Sequence, residues 1–320
     1  MMRSTVNWSK SSEAQKRRLR RSAMTALSSF AQFILSGATS GCVYTLVAIG
    51  MVLCASATNV INLAQGEFVM LGGLVGATCA IAGVPVPLAV LAAVATGAAI
   101  AAIQERLTIT PIRGAPAFLQ ITVTLGVAVC IRSAALLLWG KDPLGLPGFT
   151  GDNVFEVAGT YIPNQALWVW ALTAMTIVTT FWYLNATSAG RAIRAVSTNP
   201  LAARLMGINT GLVSLLVFTL GGAMGGLAGI VIAPITTVSW DTGLEYSVKG
   251  FTAAIIGGLK SPGWAAAIAM GIGITESLAA AYISSGSKDI VTFSALLLYL
   301  MVQGGVFTLG RRPLGANEHH

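Results

Sequence analysis

Residues 30–53 read FAQFILSGATSGCVYTLVAIGMVL, and residues 54–67 continue CASATNVINLAQGE. The first stretch carries no Asp, Glu, Lys or Arg. A helix needs about 20 apolar residues to cross the hydrocarbon of a bilayer, so this run is long enough to span one. The second stretch gathers Ser56, Thr58, Asn59, Asn62, Gln65 and Glu67. It is too polar to face lipid as a helix. Irregular backbone at membrane depth is tolerated only where protein or a watery cavity encloses it. A spanning run followed at once by a polar break predicts a bundle of several helices with a broken, re-entrant segment near residues 55–67.

Seven more apolar runs follow: Val84 to Ile103, Ala117 to Trp139, Gln165 to Leu184, Leu212 to Ala233, Leu244 to Leu259, Gly263 to Ile283 and Ile290 to Thr308. Counting one crossing before Gly83 gives eight transmembrane helices; counting three gives ten. Composition agrees with an all-α integral membrane protein. Of 320 residues 55% are hydrophobic and 9% charged, with a mean hydropathy of +0.76. A soluble domain carries about 25% charged residues. The 36 glycines suit helices that approach closely in lipid.

The net charge of +8 is unevenly spread: seven of the 19 Lys and Arg fall in the first 21 residues. A basic segment just before an apolar run reads as a cytoplasmic anchor rather than a nucleic-acid arm. Arg106 and Arg113 mark a second inside loop, Arg191, Arg194 and Arg204 a third, and Arg311 with Arg312 an inside C-terminus. Gly140 to Asn164, with Asp142, Asp152 and Glu156 against Lys141, is expected outside. Both termini are then cytoplasmic. The expected organisation is a flexible basic segment 1–28, a transmembrane domain 29–310 with a cytoplasmic loop 186–210 and an external loop 140–164, and a tail 311–320.

Cys42, Cys54, Cys79 and Cys130 lie in apolar runs without metal-type spacing and read as small buried hydrophobes. The two histidines are the terminal His319 and His320, so no intramembrane catalytic set or metal site is expected. No Gly-x-x-x-x-Gly-Lys-Ser/Thr phosphate loop occurs, so no nucleotide cofactor is expected on this chain.

Polarity inside the membrane marks candidate pathway residues, because charge there is costly and usually faces a cavity or a partner. Asn59, Asn62, Gln65, Glu67 and Glu276 are the candidates. Glu67 reads equally as a cavity group or as a carboxylate at a helix start, where the dipole favours it. Asn59, Asn62 and Gln65 offer hydrogen bonds to a solute or to frayed backbone. Glu276, mid-span on a short side chain, needs a partner or a cavity. Arg132 stands seven residues before Trp139, about 10 Å deep, and is expected to snorkel to the surface.

Between two spans runs Gly190-Arg191-Ala192-Ile193-Arg194-Ala195-Val196-Ser197-Thr198-Asn199-Pro200-Leu201-Ala202-Ala203-Arg204-Leu205-Met206-Gly207-Ile208. Asn199 can cap a helix with Pro200 at its first position, and Gly207 can end one in the left-handed conformation. The segment reads as a topology anchor or as a docking element. It resembles the coupling loop of the permease subunits of branched-chain amino-acid ABC transporters, with its Gly-Arg-Ala-x-Arg-Ala, Asn-Pro, Ala-Arg and Gly-Ile. Gly41 to Gly50 followed by Val60 to Phe68, Phe251 to Leu259 followed by Ser261-Pro262-Gly263, and Glu276 before Ala281-Tyr282 resemble that family in the same order. The chain departs from the family at Gln65, Leu201, Lys260, Trp264 and Gln303-Gly304.

The resemblance implies a permease, not an enzyme, in a bacterial inner membrane. It implies cytoplasmic ATP-binding subunits that hold the nucleotide, an external substrate-binding protein, and a second, related permease chain. Arg191, Arg194, Asn199, Pro200, Arg204 and Gly207 would couple to the ATPase. The solute would be a branched-chain or other amino acid, with urea, short amides or another small polar solute as the alternative. An ion-coupled secondary transporter is the competing class.

Overall fold

The structure is a computed structural model that describes the backbone of residues 3–310 except 152, 158 and 285, and the side chains of 27–303 except those three and 157. The tail 311–320 and the basic side chains of the first 21 residues therefore lie outside the described residues.

Helix α1 (Arg3–Thr58) ends at the polar stretch, and six non-helical residues separate it from α2 (Gln65–Ile81). The break stands where the sequence predicts it. Next come α3 (Val86–Gln104), continued by a π-helical turn over Glu105–Ile109, and α4 (Ala117–Trp139). After a loop, α5 (Asn164–Ala186) leads to two short helices, α6 (Ser188–Thr198) and α7 (Pro200–Leu205). The chain closes with α8 (Thr210–Ile232), α9 (Thr242–Gly257), α10 (Pro262–Tyr282) and α11 (Ser287–Gly310). Proline opens many of these helices: Pro85, Pro116 and Pro163 cap α3, α4 and α5, and Pro200 and Pro262 begin α7 and α10. A first turn has no use for the N–H that proline lacks.

Six helical segments among the described residues are long and apolar enough to cross a membrane: Leu27–Thr58, Val86–Ile109, Ala117–Trp139, Asn164–Ala186, Thr210–Ile232 and Pro262–Tyr282. The expected span Ile290 to Thr308, within α11, runs past the last described side chain at 303, so this search does not decide between six and the expected eight or ten. The expected span Leu244 to Leu259 is a helix of 16 residues, and α2 has 17. At 1.5 Å per residue these reach about 24–26 Å, short of the ~30 Å hydrocarbon. Helix α2 is sheltered by α8, α3 and α9, and α9 by α10, α2 and α1. Exposed side chains such as Phe118 (80%) and Leu137 (87%) on α4 clothe the outside in apolar groups, as lipid requires and water forbids.

Two expectations need correction. The fold is not purely helical, since β1 (Val154–Val157) and β2 (Thr160–Pro163) pair antiparallel in the 140–164 loop. Cys42 and Cys54 are buried, but Cys79 is half-buried and Cys130 exposed on α4, because that helix turns most of its surface outward.

Glycine sets the packing of α8. A Cβ on Gly222 would meet the carbonyl of Gly97 in α3, and one on Gly229 the carbonyl of Val69 in α2. Backbones in lipid gain contact only through such close approach.

Helix α1 also fixes which end of the bundle is which. Gln32 Nε2 donates to the Tyr161 carbonyl at 2.6 Å, tying the start of the described side chains to the hairpin. At its other end Thr58 and Asn59 border the cavity that Asn199 and Arg204 line. The described part of α1 therefore runs from the hairpin face to the α6–α7 face. The expectation that the N-terminal side of α1 shares a face with α6–α7 is not met, because residues 27–58 form one unbroken helix.

Two outcomes follow. In a protein freed of its native cysteines, an impermeant thiol reagent should reach Leu27→Cys and Thr150→Cys from one side and Thr198→Cys from the other; labelling of Leu27→Cys with Thr198→Cys would refute this path. Gly229→Leu should destabilise the detergent-solubilised protein by about 1–3 kcal/mol through overpacking. Gly126→Leu, where nothing lies within 4 Å, should leave the melting temperature unchanged.

Candidate functional site

The break is enclosed and polar. Asn59 takes a left-handed φ of 56°, which Asn tolerates better than other side-chain-bearing residues, and turns the chain out of α1. Asn62 is fully buried against Gln104 of α3, whose Nε2 donates to Asn62 Oδ1 at 2.8 Å. Gln65, also buried, donates from Nε2 to the Gly221 carbonyl of α8 at 2.8 Å. Gly66 N donates to Ser247 Oγ of α9, and Ser247 Oγ donates to the Leu63 carbonyl, each at 2.9 Å.

Glu67 is fully buried and faces Arg132 of α4, with Nη2 to Oε1 at 2.5 Å. One reading from the sequence changes here and one gains a partner. Arg132 does not snorkel: its side chain is 19% exposed and turned inward. Glu67 does stand in the first turn of α2, where the dipole favours a carboxylate, but it makes no capping bond, and its partner is Arg132. A cap contributes about 0.5–2 kcal/mol, whereas removing one partner of a buried ion pair costs about 3–5. The pair outweighs the helix start.

A second polar cluster lies on the other side of α9. Lys249, buried on that helix, has Nζ at 2.5 Å from Glu245, 3.2 Å from Glu276 and 3.7 Å from Asp289. Tyr44 Oη accepts from Lys249 at 3.2 Å and donates to Glu276 at 2.9 Å, while Thr292 donates to the other Glu276 oxygen. Glu276 thus has its partner, and the cluster binds α1, α9, α10 and α11. A third pair, Glu105 with Arg113, sits at the π-helical turn, where Ser214 of α8 donates to Glu105 at 2.7 Å.

Of the pathway candidates the structure brings Asn62, Gln65 and Glu67 together, leaves Asn59 at the rim, and places Glu276 in the separate cluster. Sequence reading passed over Lys249, Gln104 and Glu105. The signal for Lys249 was present, a lone cation inside an apolar run. Glu105 was hidden beside Arg106 at a helix end.

Three cavities flank these groups. One of about 610 Å³ lies on the α6–α7 side, lined by Asn59, Arg113, Gln120, Asn199, Leu201 and Arg204 among others. Two lie towards the hairpin, where Val238 bridges to Leu144. The first of these, about 470 Å³, reaches Tyr44, Glu245 and Glu276; the second, about 500 Å³, reaches Arg132, Lys249 and Asp289. Asn59 thus opens on one side and the partner of Glu67 on the other. The break lies between two cavities.

In the α6–α7 segment, Asn199 Oδ1 accepts from the N–H groups of Leu201 and Ala202 at 3.0 Å each, Pro200 begins α7, and Gly207 is left-handed at φ 82°. Arg191, Arg194 and Arg204 are exposed; Arg194 bonds Asn185, and Arg204 Nε donates to Thr210 at 2.9 Å.

Residues 33–309 match the family described as branched-chain amino acid transport system, permease component. The chain belongs to that family. It is similar to the high-affinity branched-chain amino acid transport system permease protein LivH of Escherichia coli (strain K12), at 30% identity over 85% of this chain and 93% of LivH. It is similar to BraD, the corresponding permease protein of Pseudomonas aeruginosa, at 26% over the same shares. The ribose import permease protein RbsC of E. coli (strain K12) is 30% identical over 69% of this chain and 67% of RbsC. A permease of this family is a multi-pass membrane protein, and the six apolar helices agree.

If the Glu67–Arg132 pair is an energetic unit, Glu67→Gln and Arg132→Gln should each lower the melting temperature, and the double variant should lower it by clearly less than the sum. Additive losses would show that the two side chains stabilise the bundle independently.

Proposed function

We propose that this chain is the permease subunit of an ATP-driven importer of branched-chain or other amino acids. With a second, related permease it forms the path through a bacterial inner membrane. Cytoplasmic subunits bind ATP, and an external binding protein delivers the solute. The observation that carries this reading is the break between two cavities, plugged by Asn62, Gln65 and the Glu67–Arg132 pair, in a chain whose likeness to LivH and BraD runs nearly their whole length. The likeness to RbsC covers a smaller share, which favours amino acids over ribose.

The α6–α7 segment supports a docking role. Leu201 (68%), Leu205 (81%) and Met206 (82%) are exposed on a short capped helix, ringed by Arg191, Arg194 and Arg204. A topology anchor needs the arginines but not the apolar tips. This face is then cytoplasmic and the hairpin external, which also places Leu27 outside. The loop arginines outweigh the basic N-terminus in this reading, since the first helix does not always dominate orientation.

In proteoliposomes holding the chain with its cognate partners, leucine uptake should require ATP, and ribose and urea should not be carried. Leu205→Asp combined with Met206→Asp should lower co-purification of the ATPase at least tenfold with the melting temperature unchanged. Uptake driven by an ion gradient without ATP would sink the importer reading; normal ATPase binding would leave the segment as an anchor.

A further inference from the structure

The 500 Å³ hairpin-side cavity has the size of a small-molecule site, for which about 300–1,000 Å³ is usual. Its walls come from α4, from α9 with its lead-in, and from α11. They carry two cations, Arg132 and Lys249, and three carboxylates, Asp241, Glu245 and Asp289. They also carry an apolar face of Trp240, Leu244, Val248 and Phe293.

These charges are unequally committed. The Lys249 ammonium is held by Glu245 and Glu276 at 2.5 and 3.2 Å. Arg132 is different. A guanidinium has five N–H donors, and Arg132 gives one nitrogen to Glu67 while its buried Nε has no partner among the described residues. On the acid side, Asp241 accepts only from Ser239 Oγ at 2.5 Å among the described contacts, and Asp289 stands 3.7 Å from Lys249. Both are exposed at the cavity wall. The cavity therefore offers an under-used guanidinium, two under-used carboxylates and an apolar surface.

We infer that this cavity is a binding subsite for a zwitterionic α-amino acid with an apolar side chain. The ligand carboxylate lies on Arg132, where two-pronged pairing is available. Its ammonium lies towards Asp241 and Asp289. Its side chain lies on Trp240, Leu244, Val248 and Phe293. Ribose or urea has no ionic ends to replace water on Arg132 and the acids, and polar groups left unpaired make a site reject a ligand. Arg132 also holds Glu67, so the ligand carboxylate and Glu67 compete for one guanidinium, and filling the cavity loosens the tie at the break.

The inference rests on the importer reading, and the experiment separates the two. The complete transporter is reconstituted with its cognate partners and given a diazirine analogue of leucine, illuminated during ATP-driven uptake. Adducts should map to Trp240, Leu244, Val248 or Phe293 and disappear with excess leucine. Leu244→Trp, which fills the cavity, should cut leucine uptake at least tenfold in a complex that co-purifies normally. Should that variant fail to assemble, Asp289→Asn, on an exposed side chain, should raise the KM for leucine about tenfold, the loss of one charge-assisted contact. In a wild-type complex that imports leucine, adducts confined to other helices, or Leu244→Trp and Asp289→Asn both at wild-type uptake, would overturn the subsite and leave the importer standing. A wild-type complex that imports no amino acid would overturn the importer reading itself.

Discussion

The architecture turns on six residues that are not helical. In lipid every N–H and C=O must find a partner inside the protein, and helices supply this by themselves. Residues 59–64 cannot. Their backbone groups are instead met one at a time by neighbours. Asn59 N bonds back to Ala55 O at 2.9 Å, and Val60 N to Thr58 Oγ1 at 3.2 Å. Thr124 of α4 donates to the Ile61 carbonyl at 3.4 Å, Ser247 of α9 to that of Leu63 at 2.9 Å, and Asn62 Oδ1 accepts from Ala64 N at 3.2 Å. Three of these contacts are local, but Thr124 and Ser247 must be brought to the break by α4 and α9. The position of α9 against α2 and α1 answers that demand.

The same enclosure makes the buried charges expensive. Taking an ion out of water costs several kcal/mol even after relaxation, and a pair recovers this only with good geometry and further hydrogen bonds. Glu276 meets that condition with Tyr44, Lys249 and Thr292 around it. Glu67 does not: one oxygen is buried without a partner among the described residues. Lys249 lies 5.3 Å from the centre of the Tyr44 ring as well, so α9 is held to α1 by charge as well as by packing. A stable bundle needs none of these charges. Two of them, Arg132 and Lys249, nevertheless stand at the wall of one cavity.

Much of this was legible in the residues. The apolar runs gave most of the helices, and the polar stretch after Thr58 gave the break, because bilayer physics acts on every residue of a segment. Asn199, Pro200 and Gly207 gave the ends of α7 because caps are local chemistry. What failed was non-local. Nothing near Arg132 in the chain announces Glu67, 65 positions earlier, and without that partner snorkelling was the sound expectation. The basic N-terminus misled about the course of α1, since a charge count weighs residues without knowing which helix ends meet. The shortness of α9 was legible, since the run Leu244 to Leu259 is no longer than the helix; what the run does not show is that protein rather than lipid surrounds it.

The bonds at the break also set the scale of any switch built on it. Opening a path between the two cavities would break the Asn62–Gln104 and Gln65–Gly221 contacts and the Glu67–Arg132 pair. Neutral hydrogen bonds contribute about 0.5–1.5 kcal/mol each in net terms and charged ones about 1.5–3, so the three together amount to about 2.5–6 kcal/mol. Moving a two-state equilibrium from one part in a hundred to ninety-nine takes about 5.5 kcal/mol of differential binding. In the importer proposed above, a break held by that much would be deep enough to hold against thermal leakage and shallow enough for one bound ligand or one docked partner to reverse. An all-apolar plug of the same length would have no partner to exchange with a polar solute, and a fully hydrated one would not close.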